Sequence, residues 1–307
     1  MKLIMAPMRG LTDQVFRRTY TDFFGGLDLA VAPFISMMDR NSLPREDFSD
    51  LEPKSEGKIP VVPQLLGNHA GALVNYARLL KAQGFEEVNW NLACPHGVVS
   101  ERKKGAGLLP FPDRIAAILD HYFEDPILPL SLKVRLGHRD ERELLRLLPL
   151  FSRYPLASLT VHPRIAADGY TGALRLSMLD EILGSTSLPV IYSGEIKTAG
   201  DLFALKARFP GIKSWMLGRG LLADPFLPEK IRGMAGERDG DRRLVKEFLL
   251  ALAQDYSRAF RNEGNALTRL KGLWSYLGDF FDLDAQLKKK IGKSKHLEDF
   301  LRFLERL

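Results

Sequence analysis

The chain alternates between short apolar runs and longer segments in which apolar residues recur at helical spacing. Buried parallel strands are nearly continuous apolar runs, whereas amphipathic helices place apolar residues three or four positions apart. Leu73, Tyr76, Ala77 and Leu80 follow the helical spacing. The runs predicted as strands are residues 2–7, 28–35, 61–66, 87–92, 130–136, 156–162, 190–193 and 215–217.

Eight strand–helix units over about 220 residues favour the α/β class and a closed (β/α)8 barrel, a TIM barrel. A doubly wound open sheet is the alternative fold. Residues 37–58 break the alternation, since they are polar, contain Pro44 and Pro53 and show no helical pattern. Following the second strand, this segment is predicted to be a long loop at the C-terminal mouth of the barrel, where such loops are often functional.

The pattern changes after Gly233. Gly233, Gly236 and the polar residues 237–243 are typical of a linker. Four helical segments follow, at residues 244–261, 266–276, 285–290 and 296–307. We therefore predict a catalytic barrel domain of residues 1–236 and a small all-helical domain of residues 237–307.

Charge distinguishes the two parts. The chain has 44 Lys and Arg against 38 Asp and Glu, a formal net charge of +6. Residues 237–307 hold 15 of the basic and 12 of the acidic residues, so their net positive charge is about three times denser than in the barrel. This is compatible with a polyanionic partner such as nucleic acid. A solvated helical face is the alternative interpretation.

Composition excludes several classes of protein. With 45% hydrophobic and 27% charged residues, the chain is neither disordered nor fibrous. A single cysteine, Cys94, excludes an internal disulfide framework and a cysteine-based metal cluster. No apolar run is long enough to span a membrane, and Pro7 and Arg9 interrupt the apolar start before it resembles a signal peptide. We expect a soluble, cytoplasmic monomer without a metal or a membrane partner.

Barrel enzymes carry their chemistry at the C-terminal ends of the strands. Cys94 and Asn91 end the fourth strand, before a loop rich in glycine and basic residues. A thiol with an ordinary pKa of about 8.5 is mostly protonated at neutral pH and can act as a general acid. The alternative is a small buried side chain. Gln64, in the third strand, is a buried amide whose partner is either backbone or the edge of a polar ring ligand.

Lys133 and Arg135 lie on one face of the fifth strand by its two-residue period. Two cations pointing into a barrel are costly unless an anion or a dipole meets them. An internal ion pair, a bound anionic cofactor and a Schiff-base lysine all remain open. His162 ends the sixth strand without a second ligand at metal spacing, so no metal site is predicted.

Glycine-rich turns follow the seventh and eighth strands. They read Ser-Gly-Glu at residues 193–195 and Gly-Arg-Gly at residues 218–220. Barrels often bind phosphate with these two loops, where glycine lets backbone N–H groups approach and an arginine pairs with the phosphate. The whole set of groups favours a phosphorylated ring cofactor.

Seven motifs in order resemble those of the dihydrouridine synthase family, flavin enzymes that reduce uridine in RNA. The resemblance covers nearly the whole chain. The motifs are APMRGLTD at residues 6–13, NLACP at 91–95, GAGLL at 105–109, KVRLG at 133–137, VHPR at 161–164, SGEI at 193–196 and GRG at 218–220. The chain departs from the family pattern at Ala93, Pro163 and Ser193, and residues 102–104 are unusually basic.

The resemblance implies a barrel that binds flavin mononucleotide (FMN), followed by a helical RNA-binding domain. It implies FMN contacts from Pro7, Met8, Arg9, Gln64, Lys133, His162, Ser193, Gly194, Glu195, Gly218 and Arg219. Contacts to RNA are expected from Asn91, Lys103, Arg164, Tyr170, Arg269 and Lys271. The spacing of the last two is similar to that in the compact bacterial branch, which acts on the tRNA D-loop.

The activity that the resemblance implies is reduction of the C5=C6 bond of a D-loop uridine with NADPH, or NADH, as the reductant. Hydride would pass from flavin N5 to C6, and Cys94 would give a proton to C5. Lys133 would stabilise the anionic reduced flavin. The alternatives are a synthase acting on rRNA, a small-molecule flavin oxidoreductase of dihydroorotate-dehydrogenase type, a Schiff-base aldolase using Lys133, and a non-catalytic RNA-binding barrel.

Overall fold

Ten short strands, each parallel to its neighbours, form one sheet in the computed structural model, which describes residues 1–38, 51 and 58–307. The strands are β1 Lys2–Met5, β2 Leu29–Val31, β3 Ile35–Ser36, β4 Val61–Val62, β5 Gln64–Leu66, β6 Val88–Leu92, β7 Leu130–Gly137, β8 Leu159–Ile165, β9 Val190–Ser193 and β10 Ser214–Leu217.

The ten strands correspond to the eight predicted runs, because two of the runs are each broken by a proline. Pro33 separates β2 from β3, and Pro63 separates β4 from β5. A proline has no N–H to donate, so it interrupts the ladder. Since β2 pairs with β4 and β3 pairs with β5, each half of the second run lies beside the corresponding half of the third. The ring closes there, so the TIM-barrel prediction is confirmed over the open sheet.

Helices follow most strands and surround the barrel. Asp13 begins the first of them by accepting a hydrogen bond from the backbone N–H of Phe16 at 3.0 Å. The barrel helices are α1 Gln14–Phe23, α2 Ala70–Ala82, α3 Gly97–Glu101, α4 Pro112–Glu124, α5 Glu143–Phe151, α6 Leu176–Ser185, α7 Ala199–Arg208, α8 Arg219–Ala223 and α9 Leu227–Arg232. Residues 39–50 and 52–57, most of the segment predicted as a long loop, lie outside the described residues.

The four helical segments predicted beyond the linker are confirmed as helices. They are α10 Arg242–Ala259, α11 Glu263–Leu277, α12 Ala285–Gly292 and α13 Leu297–Glu305. The α10 ring of Phe248 packs against Phe16, Tyr20 and Phe24 of the barrel, with ring centroids 5.2 to 6.4 Å apart. One hydrophobic cluster therefore joins the two parts, and the domain division at residue 236 stays a prediction. Within the described ranges, no helix has the length and apolar character needed to cross a bilayer.

The inside of the barrel has an apolar wall and a polar wall. The apolar wall consists of Ile4, Val31, Val62 and Met216, packed against Leu29 and Ile191. The polar wall is formed by side chains from β5 to β8, which are Gln64, Asn89, Asn91, Ser131, Lys133 and Thr160. Because buried polar groups must find partners, this wall positions the candidate site.

Candidate active site

A chain of hydrogen-bonded amides crosses the polar wall. Asn91 Nδ2 donates to Gln64 Oε1 at 2.7 Å, and Gln64 Nε2 donates to Asn89 Oδ1 at 2.7 Å. Asn89 Nδ2 then donates to Ser131 Oγ at 2.9 Å. The observed partners of Gln64 are thus side chains of a neighbouring strand. Sequence reasoning missed Asn89 and Ser131, although each is a polar residue two positions before a predicted site residue.

This chain of amides ends at the loop that carries the cysteine. Asn91 Oδ1 accepts hydrogen bonds from the backbone N–H groups of Ala93 and Cys94, both at 2.9 Å. The Cys94 carbonyl accepts from Ala106 at 3.1 Å. Gly105 has a φ of +56°, and a Cβ there would lie 2.9 Å from Cys94 Cβ. Cys94 is therefore a half-buried thiol held from both sides at the end of β6.

The two cations of β7 have different environments. The buried Arg135 guanidinium donates to three carbonyl oxygens, those of Ala93 at 3.0 Å, Ile165 at 2.9 Å and Gly169 at 2.7 Å. Arg135 thus connects the cysteine loop to the end of β8 and to the loop that follows it. For this residue, the partners are therefore dipoles, the second of the two kinds of partner that the sequence allowed.

Lys133 is half-buried and has a strongly altered pKa. The pKa of Lys133 is lowered from 10.5 to about 7, first by burial and then by the nearby Arg135 charge, while Cys94 acts in the opposite direction. Among the residues that the structure describes, none forms a hydrogen bond with the Lys133 ammonium. A buried cation without a partner is costly unless an anion or a ligand dipole meets it. Lys133 is therefore the cation available to a bound ligand.

A second polar cluster lies beyond Lys133. Burial, followed by the charges of Lys133 and other cations, lowers the pKa of His162 well below 6.5, so the ring is neutral. Arg164 is buried. Its Nη1 lies 3.2 Å from His162 Nε2, and its Nη2 donates to Glu195 Oε1 at 2.9 Å. Since an arginine can only donate, His162 Nε2 accepts and the ring proton lies on Nδ1.

Glu195 joins three cations at the ends of β8, β9 and β10. It pairs with Arg164, with Arg219 and, at 3.1 Å, with Lys197. Burial alone would raise its pKa, but the hydrogen bonds from Arg164 and Lys197 and the Arg219 charge outweigh burial, and the pKa of Glu195 is lowered. Glu195 therefore remains a carboxylate and holds the three strand ends together.

We expect Glu195→Gln to reduce the free energy of unfolding by about 1–3 kcal/mol near pH 7, because Arg164 would keep a buried charge with a weaker partner. A carboxylate with a lowered pKa stabilises the fold above its ordinary pKa, and that stabilisation is lost as the pH falls. Urea unfolding at several pH values measures the difference, which should shrink below about pH 4. An equal difference at every pH would contradict the assignment of Glu195 as a carboxylate that stabilises the fold through its lowered pKa.

The loops after β9 and β10 approach each other closely because glycine occupies the contact. A Cβ at Gly220 would lie 2.0 Å from the Ile196 carbonyl oxygen, and one at Gly194 would lie 2.3 Å from the Tyr192 hydroxyl oxygen. That buried hydroxyl has no hydrogen-bond partner in the described part of the chain. The loops that carry the predicted phosphate-binding residues Ser193, Gly194, Gly218 and Arg219 therefore lie side by side, packed together where Gly220 meets the Ile196 carbonyl.

The loop after β1 lies beside this pair of loops. The Ala6 N–H donates to the Leu217 carbonyl at 2.8 Å, and Thr12 Oγ1 donates to the Ala6 carbonyl at 2.9 Å. Met8 Sδ is 3.6 Å from the position of a Cβ on Gly218. The guanidinium of Arg9 lies over the Phe34 ring, 5.4 Å from its centroid. The structure thus brings residues 7–9 to the same end of the barrel as residues 218 and 219.

The residues expected to contact RNA fall into two groups. Near the mouth, Tyr170 is 57% exposed, with the guanidinium of Arg135 5.1 Å from its ring centroid. Lys103 Nζ lies 4.5 Å from the Phe111 ring centroid, on the cysteine loop. On α11, Arg269 pairs with Asp13 at 3.4 Å, and Lys271 donates to the Ser294 carbonyl at 3.0 Å. Burial raises the pKa of Asp13, and Arg269 is among the groups that oppose the rise.

Potential metal ligands do not cluster in this structure. Over residues 1–38, 51 and 58–307, no group of three or more His, Cys, Asp or Glu side chains is arranged to hold an ion.

Comparison with known proteins gives relatives that span most of this chain. A tRNA-dihydrouridine(16) synthase of Pseudomonas putida is 31% identical over 78% of this chain and 75% of its own length. The synthase of the same name from Neisseria meningitidis is 27% identical over 99% of this chain and 93% of its own length.

Among solved structures, morphinone reductase in complex with tetrahydroNAD matches with a TM-score of 0.52 and 14% identity, over 79% of this chain and 89% of that one. Histamine dehydrogenase from Rhizobium sp. 4-9 matches with a TM-score of 0.58 and 12% identity, over 83% of this chain and 48% of that one. At these identities the likeness shows the barrel fold. The model of the dihydrouridine synthase (Dus) family matches residues 4–305. The chain therefore belongs to the dihydrouridine synthase family.

Proposed function

We propose that this protein is a tRNA-dihydrouridine synthase that uses NADPH and FMN to reduce the C5=C6 bond of a D-loop uridine. NADH is the alternative reductant. Family membership and the names of the relatives support the reaction class. The observation that carries the proposal is the convergence of a half-buried lysine without a hydrogen-bond partner among the described residues, Lys133, and a held thiol, Cys94, on one wall of the barrel.

The residues at the mouth fit a phosphorylated ring cofactor such as FMN. The contact of Gly220 with the Ile196 carbonyl brings the loops after β9 and β10 together, and backbone N–H groups of these loops would bind a phosphate beside the Arg219 guanidinium. Lys133 offers a charge to an electron-rich ring, and the apolar wall offers a surface for its flat faces. When bound, the flavin would supply the two-electron transfer from the reduced nicotinamide to the pyrimidine.

The chain's own residues would supply orientation and a proton. Neutral His162 and the protonated form of Lys133 would bind the polar edge of the cofactor. Cys94 would donate its proton to C5 of the uracil, and the backbone hydrogen bonds from residues 93 and 94 to Asn91 would fix its position. The exposed ring of Tyr170 would stack on the RNA at the mouth, where the target base must leave its stack.

Arg164 would support the site through its neighbours. Its guanidinium already contacts His162, Glu195 and the Gly172 carbonyl, so it holds these groups in place. Lys103, Arg269 and Lys271 would contact phosphates of the RNA, which position a substrate without reading its sequence. The net positive charge of residues 237–307 favours RNA over a small substrate of the dihydroorotate type.

The proposal is tested with purified protein, NADPH and three substrates under the same conditions. These are unmodified tRNA transcribed in vitro, an rRNA transcript, and orotate, the oxidised form of dihydroorotate. Mass spectrometry of the digested tRNA should show dihydrouridine at a D-loop position. Product from rRNA alone, or from the small substrate alone, would overturn the choice of tRNA.

We expect Arg269→Ala to weaken tRNA binding and to leave NADPH oxidation by oxygen unchanged. Removing one phosphate contact should lower the affinity about fivefold at moderate salt. Fluorescence anisotropy with labelled tRNA measures the affinity, and Asp13→Asn is the matched control because it removes the same ion pair and keeps the cation. A parallel loss of both functions in Arg269→Ala would indicate a folding defect instead.

A further inference from the structure

Asn68, in the loop after β5, contacts the cysteine loop, which comprises residues 94–109. Its half-buried side chain donates from Nδ2 to the carbonyl oxygens of Arg102 and Lys103, both at 3.1 Å. These hydrogen bonds join segments that are 34 and 35 positions apart along the chain. Asn68 belongs neither to the chain of amides on the polar wall nor to the residues expected to bind FMN or RNA, so this contact needs its own explanation.

The carbonyls that Asn68 binds belong to a left-handed turn at the end of α3. Lys103 has a φ of +52°, a conformation that is unfavourable for any residue with a side chain. Its N–H donates to the Ser100 carbonyl at 2.9 Å. The Lys104 N–H donates to the Val99 carbonyl at 3.1 Å, which completes a helix end at which glycine is usual. Such a conformation persists only where the surrounding structure fixes it, and Asn68 supplies two of the fixing contacts.

Asn68 is held firmly by the residues on either side of it. The carbonyl of Gly67 accepts a hydrogen bond from Trp90 Nε1 of β6 at 3.0 Å. His69 begins α2, and its side chain accepts a hydrogen bond from the Ala72 N–H at 3.4 Å. The Asn68 amide therefore has a fixed place relative to β6, the strand that leads to the cysteine.

The turn at Lys103 determines where the returning chain meets Cys94. Gly105, two residues further on, has a φ of +56°, and a Cβ there would lie 2.9 Å from both Cys94 Cβ and the Cys94 carbonyl oxygen. The Ala106 N–H donates to that same carbonyl at 3.1 Å. Because Gly105 and Ala106 follow the turn so closely, a displaced turn would withdraw both contacts from the cysteine.

We propose that Asn68 is a positioning residue for proton transfer: by fixing the turn at Lys103, it holds the Cys94 thiol where the thiol can reach C5 of the uracil. The inference rests on the proposed function, which makes Cys94 the proton donor. Asn68 acts through the cysteine loop and touches neither the substrate nor the cofactor. The effect on rate is large because a displacement of about 1 Å in a reacting group can slow a reaction about 100-fold.

Asn68→Ala tests this inference, with Asn75→Ala as the matched control. Asn75 is exposed on α2, so the control removes the same side chain from the helix that follows Asn68. Single-turnover reduction of saturating, unmodified tRNA measures the chemical step, and NADPH oxidation by oxygen without RNA measures the flavin site. Because Cys94 is the only cysteine of the chain, its rate of alkylation by iodoacetamide measures how firmly the cysteine loop is held.

Asn68→Ala should slow dihydrouridine formation at saturating tRNA by about 10- to 100-fold, while NADPH oxidation changes by less than about twofold. Its thiol should be alkylated about fivefold faster, because loss of two hydrogen bonds lets the loop open more often. Asn68→Asp keeps the shape of the side chain and cannot donate, so it should resemble Asn68→Ala in the single-turnover rate and in alkylation. Asn75→Ala should match the unaltered protein in all three measurements.

An unchanged alkylation rate in Asn68→Ala would overturn the proposal, since the loop would then need no support from Asn68. A raised KM for tRNA with an unchanged single-turnover rate would also overturn it, because Asn68 would then place Lys103 for RNA and not the thiol. Equal losses of dihydrouridine formation and NADPH oxidation would assign Asn68 to the flavin site or the fold instead. Failure of the proposed function is distinct: the unaltered protein would leave tRNA unmodified, while alkylation would still report on the loop.

Discussion

Cys94→Ala should slow dihydrouridine formation by about 10²–10⁴-fold, the usual contribution of a general acid. Flavin binding and NADPH oxidation by oxygen should persist, because the loop is held by backbone hydrogen bonds to Asn91 and not by the thiol. Single-turnover reduction of unmodified tRNA, quenched and analysed by mass spectrometry, measures the chemical step. NADPH oxidation in the absence of RNA measures the rest of the site.

Cys94→Ser is the matched control for packing, since serine keeps a polar group of similar size. A hydroxyl is a far weaker acid than a thiol, so this variant should be nearly as slow as the alanine variant. Full activity in Cys94→Ala would remove the thiol from its assigned role. Recovery in Cys94→Ser alone would indicate that the residue acts through packing.

Lys133→Met should have the second large effect. It should slow NADPH oxidation and raise the stability of the cofactor-free protein. Loss of a charge that faces the cofactor should slow NADPH oxidation by about 10²–10³-fold, the cost of removing one electrostatic stabiliser from a site. Without cofactor, the variant should be more stable than the original protein, because burying this lysine lowers its pKa from 10.5 to about 7.

The sign of the stability effect follows from proton binding. A lysine with a lowered pKa binds more protons in the unfolded chain between about pH 7 and 10.5, so its destabilisation is largest below that interval and disappears above it. The shift corresponds to at most about 5 kcal/mol, reduced by any water that reaches the barrel mouth. The Met variant should therefore gain stability at pH 7 and lose that advantage towards pH 10.

Chemical unfolding of cofactor-free protein at pH 7, 8.5 and 10 measures this difference. Lys206→Met, on the exposed face of α7, is the control and should show little change at any pH. A Lys133→Met variant that is less stable at pH 7 would show that the ammonium already has a stabilising partner, and would contradict its assignment as a free cation.

The barrel could be predicted from the chain because its strands are short apolar runs with a clear helical pattern between them. What the pattern could not show is how the second and third runs divide. Pro33 and Pro63 each interrupt a ladder, and only the pairing of the resulting halves shows that the ring closes. The first C-terminal helix was likewise displaced by two residues, from the predicted 244–261 to Arg242–Ala259, because its start depends on the cap that Asp241 forms with the N–H of Leu244.

The site was less predictable, because its contacts join segments distant in sequence. Lys133 and Arg135 look equivalent on one strand, yet only Arg135 meets three carbonyl oxygens, and these come from two separate loops. The amide partners of Gln64 and Asn91 lie on neighbouring strands, so no local spacing reveals them. The roles of the site residues in binding and catalysis stay predictions.

The central claim is that electrons from NADPH reach a tRNA uridine through a flavin held at the barrel mouth. It is tested most directly by reducing the purified, cofactor-loaded protein with one equivalent of NADPH without oxygen, and then adding unmodified tRNA. The account predicts that the visible flavin absorption returns and that one dihydrouridine forms for each flavin reoxidised. A colourless protein, or absorption that returns with tRNA while no dihydrouridine forms, would contradict it.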